Sequence, residues 1–341
     1  PRPARWLVAR TEDPWAVGPA EPPSMLAVDP PDHTRYRSHV AKVFTPRALA
    51  ALEPRIEQIA AELLDRLPRS SEVDLIAAYA GPLPVRVICE MLGVPAAMHE
   101  QMRAWGDAAG VTLDPAVPYR RYREAQLAVR QMHRWLADHL VALRRAPGDD
   151  LLSRLVTTVD DGRTLSDVEL RATALLVIGA GFETTVNLLG NGVVQLLAHP
   201  EQREPLAADP ERWPGAVDEV LRIDPPVQST LRVAAADVEI DGHAFPSGRF
   251  VSLMLGGANR DPEVFPDPDR FDVLRANARE HLAFSAGVHF CLGAALARLE
   301  GAVGLRMLLD RFPGLAPSAP PVRRTQRVLR GYARLPVRLG G

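Results

Sequence analysis

The sequence predicts a mainly α-helical fold with small β-sheets, organised as a single domain over residues 1–341. Three observations carry this expectation. Apolar residues recur at helical spacing in several long stretches, and one stretch beginning at Ser166 runs without proline as far as His199-Pro200. Strand-like patterns are confined to short segments between Leu231 and Leu255, and no repeat period or low-complexity linker divides the chain.

Taken in order, Ala48 to Leu67 places Leu52, Ile56, Ile59, Leu63 and Leu67 at helical spacing and stops at Pro68. Pro82 to Leu92 and Tyr119 to Arg145 read the same way. Ser166 and Glu169 form an S-x-x-E capping box ahead of the longest helix. At ~1.5 Å per residue that helix is roughly 48 Å long, enough to act as the spine of the fold. Leu231 to Ala235, Val238 to Ile240 and Phe250 to Leu255 carry strand signals, with Asp241-Gly242 as a turn. The segment Asp261 to Asp272, with Pro262, Pro266 and Pro268, excludes regular structure and has to be held by side chains. From Leu292 a last long helix puts Leu292, Leu296, Leu299, Val303 and Met307 on one face.

Bulk properties exclude several classes. Apolar residues make up 47% and charged residues 24%, the balance of a globular protein rather than a disordered or fibrous one. A net charge of −2 gives no global field for nucleic acid or anionic lipid, so neither is expected as a partner. Lys42 is the only lysine; the positive charge is otherwise arginine, which reads as codon bias. Two cysteines, Cys89 and Cys291, exclude a secreted disulfide scaffold and suit the cytoplasm. Trp6 to Arg10 is too short for a signal peptide and is followed by Pro14 and Pro19. The longest apolar run, Ala172 to Phe182, is about half a bilayer span and reads as buried helix.

Three segments carry chemistry. In Phe284-Ser-Ala-Gly-Val-His-Phe-Cys291-Leu-Gly293, two glycines flank a cysteine just ahead of a helix. A helix N-terminus favours thiolate over thiol, which suits a metal ligand; core packing, zinc and a disulfide with Cys89 are the alternatives. Cys89 itself lies in an apolar helix and reads as core. In Ala180-Gly181-Phe182-Glu183-Thr184, Gly179 and Gly181 each cost about 1 kcal/mol within a helix, so either a group approaches the backbone closely or the helix opens there. Threonine can bond back to a carbonyl, and an acid beside an alcohol can relay protons; a helix-packing notch is the competing reading. Glu219 and Arg222 stand three apart on one helix face, alone no more than an ion pair.

Together these segments resemble the cytochrome P450 superfamily, in its bacterial soluble class. F-x-x-G-x-H-x-C-x-G is similar to that family's haem-binding loop, and G-x-E-T to its oxygen-activation motif, with Glu in place of the commoner Asp. The resemblance covers Asp29 to Leu339 and implies the P450 fold, with the long central helix crossing over the haem. It implies haem b ligated by Cys291 within Phe284 to Gly293. Thr184 becomes the hydroxyl supporting bound dioxygen, and Glu183 the acid in its proton supply. His33 and Arg37, in Asp29-Pro-Pro-Asp-His-Thr-Arg-Tyr-Arg, together with Arg232 and His289, become the partners of the haem propionates. Glu219 and Arg222 are completed structurally by Arg270. Position alone offers Val177, Ala180, Gly181, Val227, Gln228, Ser229 and Leu329 as lining of a substrate pocket. Trp6 to Arg10 resembles an early strand, and the 18 residues between Arg10 and Asp29 are too few for the family's second helix and lid loop. That points to a shortened N-terminal region or to residues left out of the sequence, with omission favoured.

The function so implied is a monooxygenase that inserts one oxygen atom of O2 into a hydrophobic or amphipathic small molecule, by hydroxylation or epoxidation, in secondary metabolism or xenobiotic oxidation. Electrons come from NAD(P)H through ferredoxin and ferredoxin reductase or a similar donor. The acid–alcohol pair stands against a peroxide-driven peroxygenase. An intact Cys291 stands against a silent haem- or ligand-binding sensor.

Overall fold

The computed structural model describes residues 24–41, 44–68, 72–114, 117–157 and 165–340. Trp6 to Arg10 and Lys42 lie outside them. The chain divides into two compact units, Pro1–Leu67 with Ala77–Val186, and Pro68–Ile76 with Asn187–Gly341. The unit boundary falls inside the longest helix.

The first unit is helical: α1 (Asp32–Ala41), α2 (Pro46–Asp65), α3 (Pro82–Met91), α4 (His99–Gly110), α5 (Tyr119–Arg145), α6 (Leu151–Thr157) and the leading part of α7 (Asp167–Ala198). α2 starts two residues before the apolar pattern does, because Pro46 occupies its first turn and the Thr45 side chain accepts the Ala48 N–H at 3.3 Å. α5 spans the predicted residues and buries Ala125, Ala128, Met132, Leu136, Leu140 and Leu143 along one stripe. α3 buries Cys89 at 1% exposure, the core position expected of it, and burial pushes its thiol up to about 12.

α7 is 32 residues long. Both arms of its capping box form: the Ser166 N–H donates to Glu169 Oε2 at 2.8 Å and the Glu169 N–H to Ser166 Oγ at 3.3 Å. It is long and apolar enough to cross a membrane, but 67% of its most apolar window is buried inside the protein. At Gly181 a Cβ would stand 2.9 Å from Ile88 Cγ1, so the glycine lets α3 close on α7. Despite the glycines, the helix continues unbroken through this stretch; close approach is realised at Gly181 and not at Gly179.

The second unit pairs α8 (Trp213–Ile223) with α9 (Ala294–Arg311) and carries the sheets. A three-stranded sheet has the order β1 (Glu72–Asp74), β9 (Pro336–Arg338), β6 (Ala316–Pro317), so residues distant in sequence meet there. β2 (Thr230–Val233) pairs antiparallel with β5 (Phe250–Leu253), and β3 (Val238–Ile240) with β4 (His243–Phe245) through the expected turn, Asp241 and Gly242 both having positive φ. A last pair joins β7 (Val322–Arg323) to β8 (Tyr332–Arg334). Residues 261–272 hold neither helix nor strand, as the prolines require. α9 buries Leu296 and Val303 as predicted, and adds Leu305 and Leu308.

Glu169 has a second task. Its carboxylate also takes the Arg35 guanidinium and, at 3.1 Å, the Tyr36 hydroxyl, fastening α1 to the start of α7. The Arg35 contact is the largest cause holding this carboxyl down at about 2, with the Ser166 and Tyr36 donors adding to it against burial. A pKa depressed in the folded state stabilises above the unfolded value of ~4.3, and that contribution disappears as pH falls toward about 2. Glu169→Ala is expected to lower the unfolding free energy at pH 7 by roughly 1–3 kcal/mol, through lost cap and pairing. Urea titrations should show the gap to wild type narrowing between pH 5 and about 2.

Candidate active site

In the second unit, the cysteine loop is set by backbone geometry. Ser285 and Gly287 take positive φ of 60° and 71°, the second being a conformation that glycine adopts without strain. The Cys291 N–H donates to the Phe284 carbonyl at 3.0 Å and the Phe290 N–H to Gly287 at 3.0 Å, closing the turn. Cys291 is exposed and in no disulfide, three residues ahead of α9. Among the described hydrogen bonds none uses the N–H groups of Leu292 or Gly293, and a Cβ at Gly293 would meet nothing within 4 Å. An accessible sulfur, unspent N–H donors beside it and the positive end of an 18-residue helix suit a thiolate ligand to a flat, bulky group such as haem. The residues fit the group that the sequence implies. Phe284, half-buried, packs edge-on to Phe290 with centroids 6.3 Å apart, while His289 closes the loop's 3-10 turn.

The charge pair is fully buried. Arg222 and Glu219 both have 0% side-chain exposure and meet through two hydrogen bonds of 2.6 and 2.8 Å. The other guanidinium contacts go to backbone: the carbonyls of Asn259 at 3.1 Å, Pro268 at 2.8 Å and Arg270 at 3.0 Å. This is how the proline-rich segment is held. The third member is Arg275, a correction to the expectation of Arg270. Arg275 reaches Glu219 at 3.3 Å and donates to the carbonyls of Pro266, Asp267 and Arg270. The Arg270 side chain is 64% exposed and sits 3.6 Å from Asp272. The segment turns at Asp267, where φ is 48°, and presents the Arg270 carbonyl inward, so its side chain is directed out. Arg275, at the end of a reverse turn from Asp272, enters instead.

Arg232 is half-buried on β2 and donates to Thr230 Oγ1 at 3.0 Å and the Leu231 carbonyl at 2.9 Å. Val227 and Leu329 are brought together as an isolated antiparallel bridge, with Ser229 half-buried beyond it. Gln228 braces this turn: its amide donates to the Pro225 carbonyl at 2.6 Å, and its backbone N–H to the Val328 carbonyl at 2.9 Å.

In the first unit, the Thr184 hydroxyl donates to the Ala180 carbonyl at 2.9 Å, the back-bond the sequence allowed for. Thr184 is half-buried and Ala180, one turn earlier, exposed, so this face of α7 is open, with Val177 8% exposed below it. Glu183 points elsewhere. It is 1% exposed and its Oε2 lies 1.8 Å from where a Cβ on Gly110 would be, so the end of α4 leaves room for the carboxyl. Gly181 stands against Ile88 of α3. On α1, His33 is buried and Arg37 half-buried, while the residues between them, Arg35 and Tyr36, hold Glu169. Sequence reasoning missed Arg275, Gly110 and the Arg35–Glu169 link; only Glu169, already marked by its capping box, gave a signal.

Comparison with known proteins bears on the fold and the family. The cytochrome P450 family model matches residues 214–331. A Mycobacterium tuberculosis protein that carries the cytochrome P450 140 name is 51% identical over 344 residues, covering all of this chain and 78% of that one. The 6-deoxyerythronolide B hydroxylase of Saccharopolyspora erythraea is 45% identical over 323 residues, covering 93% and 78% of the two chains. The solved structure of the Bacillus subtilis bacillaene polyketide synthase cytochrome P450 PksS superposes with a TM-score of 0.89 at 37% identity, over 98% of this chain and 85% of that one.

Breaking a buried ion pair by removing one partner costs about 3–5 kcal/mol, whereas exposed charges cost within about 0.5. Arg275→Ala is therefore expected to lose about 3–5 kcal/mol in chemical denaturation, and Arg270→Ala less than about 0.5.

Proposed function

The chain belongs to the cytochrome P450 family and is a P450 monooxygenase, and from that premise we propose how its residues divide the work. Cys291 would hold haem b through its thiolate, with the Leu292 and Gly293 N–H groups available as donors to the sulfur. His33, Arg37, Arg232 and His289 take the propionates. When bound, haem supplies the iron that binds and activates O2. The single observation carrying this reading is the exposed Cys291 sulfur beside unspent donors at the start of α9.

Glu183 and Thr184 move protons. The Thr184 hydroxyl donates its proton to the Ala180 carbonyl, which leaves the Oγ1 lone pairs to accept a hydrogen bond from a proton donor at the site. Glu183 is the acid that replenishes it, and its seat against Gly110 keeps the carboxyl out of bulk water. The substrate is a hydrophobic or amphipathic small molecule, supported by the apolar side chains of Val177, Ala180, Val227 and Leu329 and by the relative that hydroxylates 6-deoxyerythronolide B. Oxygen enters a C–H or C=C bond. Electrons arrive from NAD(P)H through ferredoxin and ferredoxin reductase or a similar donor.

Reduced protein under carbon monoxide is expected to show the strongly red-shifted Soret band of a thiolate-ligated carbonyl, and Cys291→Ser to lose it; a band of the histidine type in wild type rejects the ligand assignment. Thr184→Ala is expected to keep consuming NAD(P)H while product formation falls on the order of 10². Unchanged product per NAD(P)H removes Thr184 from the proton supply.

A further inference from the structure

Next to Glu219, on the same turn of α8, Asp218 makes a separate set of contacts that the chemistry above does not use. Asp218 is 5% exposed. Its Oδ1 accepts from Arg298 Nε at 2.6 Å and faces His281 Nε2 at 3.2 Å. Burial alone would raise the Asp218 carboxyl, but the hydrogen bonds from His281 and Arg298 outweigh it and hold it below the usual range.

The tautomer of His281 follows from its other nitrogen. Nδ1 accepts the Ala283 N–H at 3.1 Å, so the ring proton is on Nε2 and points at Asp218. The imidazole, 0% exposed, thereby spans from a helix carboxylate to the backbone that enters the cysteine loop. Leu282, between them, donates its N–H to Asn259 Oδ1 at 2.6 Å, so three successive residues are fixed. Beyond the loop, Arg298 on α9 lies over the Phe284 ring, 4.7 Å from its centroid, and His281 meets the same ring at 5.6 Å. Phe284 in turn accepts the Cys291 N–H on its carbonyl at 3.0 Å. Asp218 therefore grips the loop at both ends: through His281 on the entering strand of chain, and through Arg298 on the helix that leaves it.

We infer that His281, with Asp218 and Arg298, is a positioning residue that sets where the Cys291 sulfur stands, through the hydrogen bond from its Nε2–H to Asp218 and from Ala283 N–H to its Nδ1. This rests on the reading of Cys291 as the haem ligand. An outer partner of this kind orders a ligand without touching the metal, and its loss typically costs about 10–100-fold in retention of the bound group.

The test uses the haem-loaded protein. In His281→Phe the ring volume stays but both hydrogen bonds go. Haem transfer to apomyoglobin is expected to speed up by about 10-fold or more. Part of the reduced carbonyl complex should shift from the thiolate-type to the histidine-type band. The Cys291 amide should exchange hydrogen faster. His281→Gln, which keeps a donor and an acceptor, should recover most of the wild-type behaviour on all three. Should His281→Phe fail to fold, Arg298→Met removes the other arm and is expected to move the same three readouts. Wild-type transfer rate, band and Cys291 exchange in His281→Phe, or in Arg298→Met where that variant replaces it, overturn the inference while leaving Cys291 as ligand intact. A wild-type protein without the thiolate band overturns both.

Discussion

A guanidinium removed entirely from water must have its N–H groups answered, and Arg222 meets that requirement by drafting backbone from elsewhere in the second unit. Its own helix supplies only Glu219. The remaining donors go to carbonyls of residues 259, 268 and 270, which have no ladder or helix of their own to satisfy them. Three prolines make this segment unable to form regular structure, so its carbonyls are acceptors in want of donors. Each side resolves the other's deficit. The constraint also propagates: Asn259, whose carbonyl Arg222 takes, uses its side chain to hold Leu282 at the entrance of the cysteine loop, and donates back to Leu221 on α8 at 3.3 Å.

Two neighbouring carboxylates on α8 thus divide the unit between them. Glu219 receives Arg222, Arg275 and the Asp272 N–H, all serving the proline-rich segment. Asp218 receives Arg298 and His281, serving the loop and α9. Glu300 on α9 shows what such a position is like without a cation: it is 1% exposed, its Oε2 has no partner, and burial pushes its pKa to about 8. All three carboxylates are buried; Glu219 and Asp218 meet arginine and Glu300, among the described residues, does not. Ion pairing at this depth is poor evidence of net stability, because desolvation opposes it, but it specifies geometry strongly. A ligand loop needs the second more than the first.

How far the sequence was legible follows from how local each interaction is. α5 was readable to the residue because its apolar stripe is a property of the helix alone. The capping box was readable because both members lie within one turn. α4 was not, since Gly106 and Gly110 weaken its pattern for tertiary reasons: a Cβ at Gly106 would stand 1.7 Å from Phe182 Cζ, and one at Gly110 as close to Glu183. The three-stranded sheet escaped notice because its strands hold two or three residues each and come from opposite ends of the chain. At the site, the Glu219–Arg222 pair and the Thr184 back-bond lie within short motifs and were legible. Arg275 was not, because both Arg270 and Arg275 follow the prolines and only the turn at Asp267 decides which side chain goes inward. His281, Asp218 and Arg298 were illegible for a similar reason, being separated by 63 and 80 positions along the chain.

The glycines of α7 belong to the same argument from the other direction. A helix interior without Gly179 and Gly181 would be more stable by roughly 1 kcal/mol each, so their presence is a local conflict that something else must resolve. At Gly181 the compensation is visible as Ile88, which packs where a Cβ would be. At Gly179 nothing lies within 4 Å, and the next residue, Ala180, is exposed while its carbonyl is engaged by Thr184. The two glycines therefore stand in different surroundings, one packed against α3 and one open. Packing accounts for the buried side of the helix. On the open side small residues and a tethered hydroxyl keep the surface low, so no neighbouring helix of the first unit explains Gly179.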